Sequence, residues 1–282
     1  MKFAPATASR SVKCRRLRLT DPANSYFMIW RLILDGAAPG AWNMAVDEAL
    51  LLSHAAGDAP PTLRFYDWQP ACVSLGRLQK LDDTRGLNIA AIKASGFDIV
   101  RRPTGGRAVL HQHEITYSIV LSMDLLPFDC RAVVSSYAWL NRGFTAGLHD
   151  LGLDGMFTRS AADTSAAGAA NCFSSAAQCD FLVADKKLIG SAQYRRRGVI
   201  LQHGSLLLDV DRAAWQAALG GAMERTTSLR ELGVTHARAE VIAALCAGME
   251  RTVPVSLQQA VLDAPEMAVA TRLHTEKYSA VI

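Results

Sequence analysis

Strand-like and helix-like stretches follow one another irregularly along this chain, and that irregularity limits its folds more than any other feature. Trp30–Leu34 reads as a first strand closed by Asp35-Gly36, and Asn43 as the N-cap of a helix through about Ser53. Leu63 and Phe65 alternate with Arg64, Tyr66 and Trp68, a period of two that predicts a strand. Trp68-Gln69-Pro70 then turns the chain into a second strand, Cys72–Leu75, ending at Gly76. Residues 84–95 and 131–149 read as helices and Asp98–Arg102 as extended. Three further strands, Phe181–Val183, Leu188–Ala192 and Val199–Leu208, are joined by Ala184-Asp185-Lys186 and by Tyr194–Gly198. From Ala213 the pattern is helical, with Ser228-x-x-Glu231 and Ser256-x-x-Gln259 as capping boxes and Pro265 as a break. There is no regular βαβ alternation and no internal repeat, so the expectation is α+β or a mixed-sheet α/β fold.

The composition narrows the function classes. The formal charge of +4 belongs to residues 1–27, where Lys2, Arg10, Lys13, Arg15, Arg16 and Arg18 face only Asp21. The remaining body is near neutral, which argues against nucleic acid as its partner, because that binding needs many phosphate-neutralising cations. No apolar run approaches the roughly 18 residues of a membrane span. The 6 cysteines, at 14, 72, 130, 172, 179 and 246, form no Cys-x-x-Cys pair, and neither zinc nor a disulfide framework is expected. These features predict a cytoplasmic protein with mostly buried thiols. Residues 1–27 read as a disordered basic extension; a transit peptide and a start at Met28 are two accounts of it. Residues 28–211 are the expected catalytic unit, and 212–282 a helical segment packed on it.

Three stretches carry candidate chemistry. In Arg101–Ser118 the pair Gly105-Gly106 lets backbone N–H groups approach a ligand that a Cβ would exclude. Arg102 and Arg107 flank the turn in position to hold an anion or an acyl carbonyl; on composition alone the segment is a basic hairpin loop. Lys187 opens a strand of small and apolar residues, where an ammonium pointing into a cavity would polarise a carbonyl; the other reading is an exposed turn lysine. Cys172 follows the small, flexible run at 161–170 and precedes Phe173, and a nearby cation would lower its thiol pKa. The residues alone do not separate Cys172 from Cys179.

Taken together, five collinear segments resemble the lipoate/biotin ligase and lipoyl-transferase superfamily, and within it the octanoyltransferases that begin lipoate synthesis. They are Asn43-Met44-Ala45-x-Asp47-Glu48-Ala49, Arg64-Phe65-Tyr66-x-Trp68-x-Pro70, Arg101 to His111 with Glu114-x-Thr116-Tyr117-Ser118, Gly190-Ser191-Ala192-Gln193, and Gly198 to Ser205. The resemblance implies a mixed sheet flanked by helices, with an acyl chain held beside the Gly-Gly turn. It implies Cys172 as nucleophile and Lys187 as the group that holds the carbonyl and assists proton transfer. It also implies substrate contacts at Arg102, Gly105, Gly106, Arg107, His111, Gly190, Ser191, Ala192, His203 and Gly204. The implied donor is octanoyl acyl carrier protein, and the implied acceptor a lipoyl domain or the glycine cleavage H protein, with no metal or cofactor.

Two departures stand out: Gln112 where the subfamily has an acidic residue, and Ser174-Ser175-Ala176-Ala177 after Cys172-Phe173. Three alternatives remain open. One is an ATP-dependent lipoate–protein ligase, against which Arg107 stands, since ligases carry a further glycine there. The others are an octanoyl amidotransferase from H protein to E2 domains and a non-catalytic acyl-binding paralogue. Arg195-Arg196-Arg197 is read either as a basic loop that docks an acidic carrier or as a solvated turn.

Overall fold

The computed structural model describes residues 27–80, 86–157, 180–221 and 223–279. The basic extension, the run at 161–170, Cys172, Cys179 and the Ser174–Ala177 departure lie outside the described residues. The strands are β1 (Met28–Ala38), β2 (Thr62–Trp68), β3 (Cys72–Leu75), β4 (Asp98–Arg101), β5 (Val109–His111), β6 (Glu114–Ser122), β7 (Met156–Phe157), β8 (Phe181–Val183), β9 (Lys186–Arg196), β10 (Val199–Leu207) and β11 (Val255–Ala260). The helices are α1 (Gly40–Ala56), α2 (Ile89–Ala94), α3 (Val133–Asp150), α4 (Arg212–Leu219), α5 (Arg238–Thr252) and α6 (Ala264–Leu273). This is the expected mixed sheet flanked by helices.

Eight strands form the main sheet in the order β11-β1-β2-β6-β10-β9-β8-β7, and β4-β3-β5 form a small second sheet. β1 is parallel to both β11 and β2, whereas β2, β6, β10, β9, β8 and β7 are antiparallel in turn. Side chains alternate across the main sheet with the strand period. Ile119 and Ile200 join Trp139, Phe144 and Leu245 of α3 and α5 on one face, while Val120, Val199 and Leu201 join Val46 and Leu50 of α1 on the other. Helices α3 and α5 approach closely because glycines meet there: a Cβ on Gly147 would lie 2.5 Å from the carbonyl oxygen of Ala244. No described helix is long and apolar enough to cross a membrane.

Several local expectations change. Asp35-Gly36 does not end β1; the strand runs on to Ala38 with a register shift between Leu34 and Ala37. Asn43 is not a cap, since α1 begins at Gly40 and Asn43 is buried, donating to the carbonyls of Ala38 and Asp67. The helix predicted at 84–95 is only α2, capped by the Asn88 side chain. Ser228 Oγ accepts from Glu231 N–H, but in a turn with no helix behind it. Ser256-x-x-Gln259 lies inside β11, so residues 212–282 give the main sheet an edge strand as well as helices. Pro265 begins a helix, at the first turn of α6, where its missing N–H costs nothing.

Neither basic segment is the simple loop expected. β4 and β5 do not pair; both flank β3, so the Gly-Gly segment crosses over the end of β3 and is not a hairpin. Arg195 and Arg196 belong to β9, and the turn itself is Arg197-Gly198, both at positive φ. Arg195 packs on α3, donating to Ser136 Oγ at 2.7 Å and to the Arg131 carbonyl at 2.8 Å.

Candidate active site

Sheet register assembles the site. In β10, His203 lies opposite Ser118 of β6 and Ala192 of β9, Gly204 opposite Tyr117 and Ser191, and Ser205 opposite Thr116 and Gly190. Three motifs distant in sequence are thus adjacent rungs of one ladder. Over them closes the segment between β4 and β5. Gly106 has φ of +93°, a conformation glycine adopts without strain, and a Cβ on Gly76 would collide with the Gly106 carbonyl. Between ladder and loop is a cavity lined by the predicted residues Arg102, Gly106, His111, Gly190, Ser191, Ala192, His203 and Gly204. Gly105, Arg107 and Lys187 do not line it.

The two histidines have parallel surroundings. His203 Nδ1 faces Asp47 Oδ2 at 3.3 Å, and its Nε2 faces Thr104 Oγ1 at 2.5 Å. Burial pushes the His203 imidazole below its usual 6.5, so it is neutral with its proton on Nδ1 for the carboxylate. Nε2 then accepts from the Thr104 hydroxyl. His111 repeats the order, with Glu114 Oε1 at 2.7 Å from Nδ1 and Ser74 Oγ at 2.7 Å from Nε2. The Trp68 ring stacks on His111 with centroids 4.0 Å apart.

Arg102 joins the two relays. Its Nε donates to Thr104 Oγ1 at 3.2 Å and its Nη1 to Ser74 Oγ at 3.0 Å and the Ser74 carbonyl at 2.9 Å. Nη2 donates to the carbonyls of Gly105 and Arg107 at 2.8 and 2.7 Å. A guanidinium has five N–H donors, and these contacts occupy them. Through these contacts Arg102 folds the Gly-Gly segment and supplies a donor to each hydroxyl, while lining the cavity.

The carboxylates differ. Asp47 is fully buried, yet Arg64, Ser118, Tyr66 and His203 all reach it. Burial alone would raise its pKa; His203, Arg64 and Ser118 outweigh that and hold it below 3.8. Glu114 Oε1 faces His111 and accepts from Thr116 and from Ser205, the last at 2.8 Å, while its buried Oε2 has no partner among the described residues.

Lys187 is buried, 1% exposed, with its Nζ 2.7 Å from Asp180 Oδ2, and Asp180 lines the cavity. The exposed-turn reading fits Lys186 instead. The described thiols are poor nucleophiles: burial raises Cys72 well above 9.0 and Cys246 to about 12, and Cys130 is raised as well. Gln112 sits at the turn between β5 and β6, outside the cavity lining, with Oε1 unpaired among the described residues. Among the described residues no group of His, Cys, Asp or Glu could hold a metal ion.

Asp180, Asp47, Thr104, Ser74 and Glu114 were given no role from sequence. Asp180 had one usable signal, an acid directly following the cysteine-bearing segment; the others become partners only through the sheet.

The lipoyl protein ligase A/B catalytic domain matches residues 39–253. The octanoyltransferase LipM of Kyrpidia tusciae is 40% identical over 261 residues, covering 86% of this chain and 94% of that one. That of Symbiobacterium thermophilum is 37% identical over 266 residues, covering 88% and 95%. Among solved structures, lipoate-protein ligase A bound with ATP superposes with a TM-score of 0.76 at 27% identity, covering 89% of this chain and 96% of that one. The T. acidophilum protein Ta0514 with bound lipoic acid gives 0.77 at 27% identity, with the same coverage.

Proposed function

The chain belongs to the octanoyltransferase LipM family, within the lipoyl protein ligase A/B catalytic-domain family, and on that premise we propose that it moves an octanoyl group from acyl carrier protein to a lysine of a lipoyl domain or of the glycine cleavage H protein. It does so in the cytoplasm, with a catalytic unit at 28–211 and residues 212–282 packed on it.

The nucleophile is Cys172. Its thiolate attacks the octanoyl thioester carbonyl; the new C–S bond forms as the bond to the carrier's thiol breaks, and that thiol leaves with a proton. The acceptor's lysine amine then attacks the enzyme thioester, forming an amide and returning the Cys172 thiol. Two easier steps replace one difficult one, which is the reason for a nucleophile. Lys187, held by Asp180 at the cavity edge, is the cation that steadies the carbonyl and moves the proton. The N–H group of Gly106, which lines the cavity, has no partner among the described residues and is available to the developing oxyanion. His203 and His111, fixed by their carboxylates and by Arg102, hold the cavity wall opposite.

The observation that carries this reading is the buried Lys187–Asp180 pair beside a cavity whose walls are the Gly-Gly segment and the Gly190–Ala192 strand. The described thiols, all raised, offer no rival to Cys172. Likeness to a ligase bound with ATP makes ATP dependence the test. Purified enzyme, octanoyl acyl carrier protein and a lipoyl domain should give octanoyl-lysine without ATP. Product formed only from free lipoate plus ATP would make the protein a ligase.

A further inference from the structure

A second cavity, of about 370 Å³, shares Arg102 with the first. Besides Arg102, four cations line it: Arg77 after β3, Arg101 of β4, Arg196 of β9 and Lys277 in the π-helical turn His274–Tyr278 that continues α6. Glu48 is the one carboxylate in its walls, and it is already engaged by Lys277 at 2.6 Å, the Tyr278 hydroxyl at 2.5 Å and Arg196 at 3.7 Å. Neither Arg77 nor Arg101 forms an ion pair among the described residues. Both are nevertheless held in place. Arg101 Nη1 donates to the carbonyls of Gly76 and Gln79 at 2.8 and 2.6 Å, and the Arg77 guanidinium lies over the Tyr194 ring, 5.3 Å from its centroid. Collecting like charges in a concave wall is unfavourable unless an anion completes it, and such a wall concentrates anions from solution.

We propose that this cavity binds the phosphate of the phosphopantetheine arm on which the octanoyl thioester arrives, an inference that rests on the octanoyltransferase reading. A phosphodiester is the one fixed charge on that arm, and arginine and lysine donors are its usual partners. The two cavities share Arg102 in their walls, which places the cation cluster beside the acyl cavity, within reach of one extended ligand. The cations then select a donor presented on a phosphorylated arm and fix how far its thioester enters.

The test compares two small donors, octanoyl-phosphopantetheine and octanoyl-pantetheine, which differ only in the phosphate, with a lipoyl domain as acceptor. Wild type should favour the phosphorylated donor by about tenfold or more in kcat/KM, as expected for one or more charge-assisted hydrogen bonds. Arg77→Ser, Lys277→Ser and their combination should move that ratio stepwise towards one. Equal use of both donors by wild type overturns the inference while leaving acyl transfer intact. A ratio unmoved in the variants overturns it too, even if the carrier-bound donor weakens, because the cations would then read the carrier's own acidic surface. No transfer from either donor, nor from octanoyl acyl carrier protein run alongside, would instead sink the octanoyltransferase reading beneath it; transfer from the carrier alone would overturn the inference, because the arm's phosphate would then not suffice for capture.

Discussion

Two histidines line one cavity, but the carboxylates behind them are built differently. Asp47, behind His203, has both oxygens filled, by Arg64, Ser118, Tyr66 and His203, whereas Glu114, behind His111, has all its partners among the described residues on Oε1 and none on Oε2. The difference separates two roles. Asp47 is the counter-charge of the fully buried Arg64 and pins α1 to the sheet, so its charge is structural before it is anything else. Glu114 chiefly orients His111 and two hydroxyls, which a neutral acceptor can also do.

The largest test of that contrast is Asp47→Ala. It leaves Arg64 buried with only Asp35 as an ionic partner and should cost about 3–5 kcal/mol in denaturant unfolding. Arg102→Lys comes next, because an ammonium cannot reach both hydroxyls and three carbonyls at once; about 2–3 kcal/mol is expected. Imidazole nitrogen NMR supplies a readout that lost stability alone would not move: the geometry assigns the His203 proton to Nδ1 in wild type, and the variant should show mixed tautomers at that ring. Glu114→Gln is smaller, about 1 kcal/mol, since the amide oxygen can accept from all three Oε1 partners and the amide nitrogen fills the unpartnered position. A cost equal to that of Asp47→Ala would break the comparison.

The smallest effect is on pH dependence. His203 is held below its unfolded value of 6.5, so the unfolded chain takes up a proton first as pH falls. Its contribution is fully present above pH 6.5 and is lost on the acid side, and His54, lowered mainly by burial, acts in the same direction. Asp47, also lowered, adds to the loss only at pH near and below 3.8. The Tm should therefore drop between about pH 7.5 and about pH 5.5, and His203→Gln should flatten that drop. An unchanged slope in the variant would show that His203 is not held neutral.

The segments Gly190–Ala192, Gly204 and Thr116–Ser118 were legible in the sequence as strands and as motifs of a family resemblance, and antiparallel pairing brings them side by side. Pairings across the fold were not legible. Asp47 and His203 meet only because α1 packs across β10, and no local pattern announces that. The contacts of Arg102 with its own loop were not legible either, because an arginine beside glycines looks the same whether it faces a ligand or folds back on its own loop. β11 was missed because Ser-x-x-Gln describes a helix start and also a half-exposed edge strand. Pro265 carried two meanings, and Asp263 with Glu266 completing a capping box decides for a helix start.

The central claim is that this cavity serves a thioester on Cys172 with Lys187 as its cation. Intact-mass spectrometry after mixing with octanoyl acyl carrier protein tests it most directly. Wild type and Cys179→Ala should gain one octanoyl group, and Cys172→Ala none; an adduct that persists in Cys172→Ala, with full transfer activity, would contradict the account.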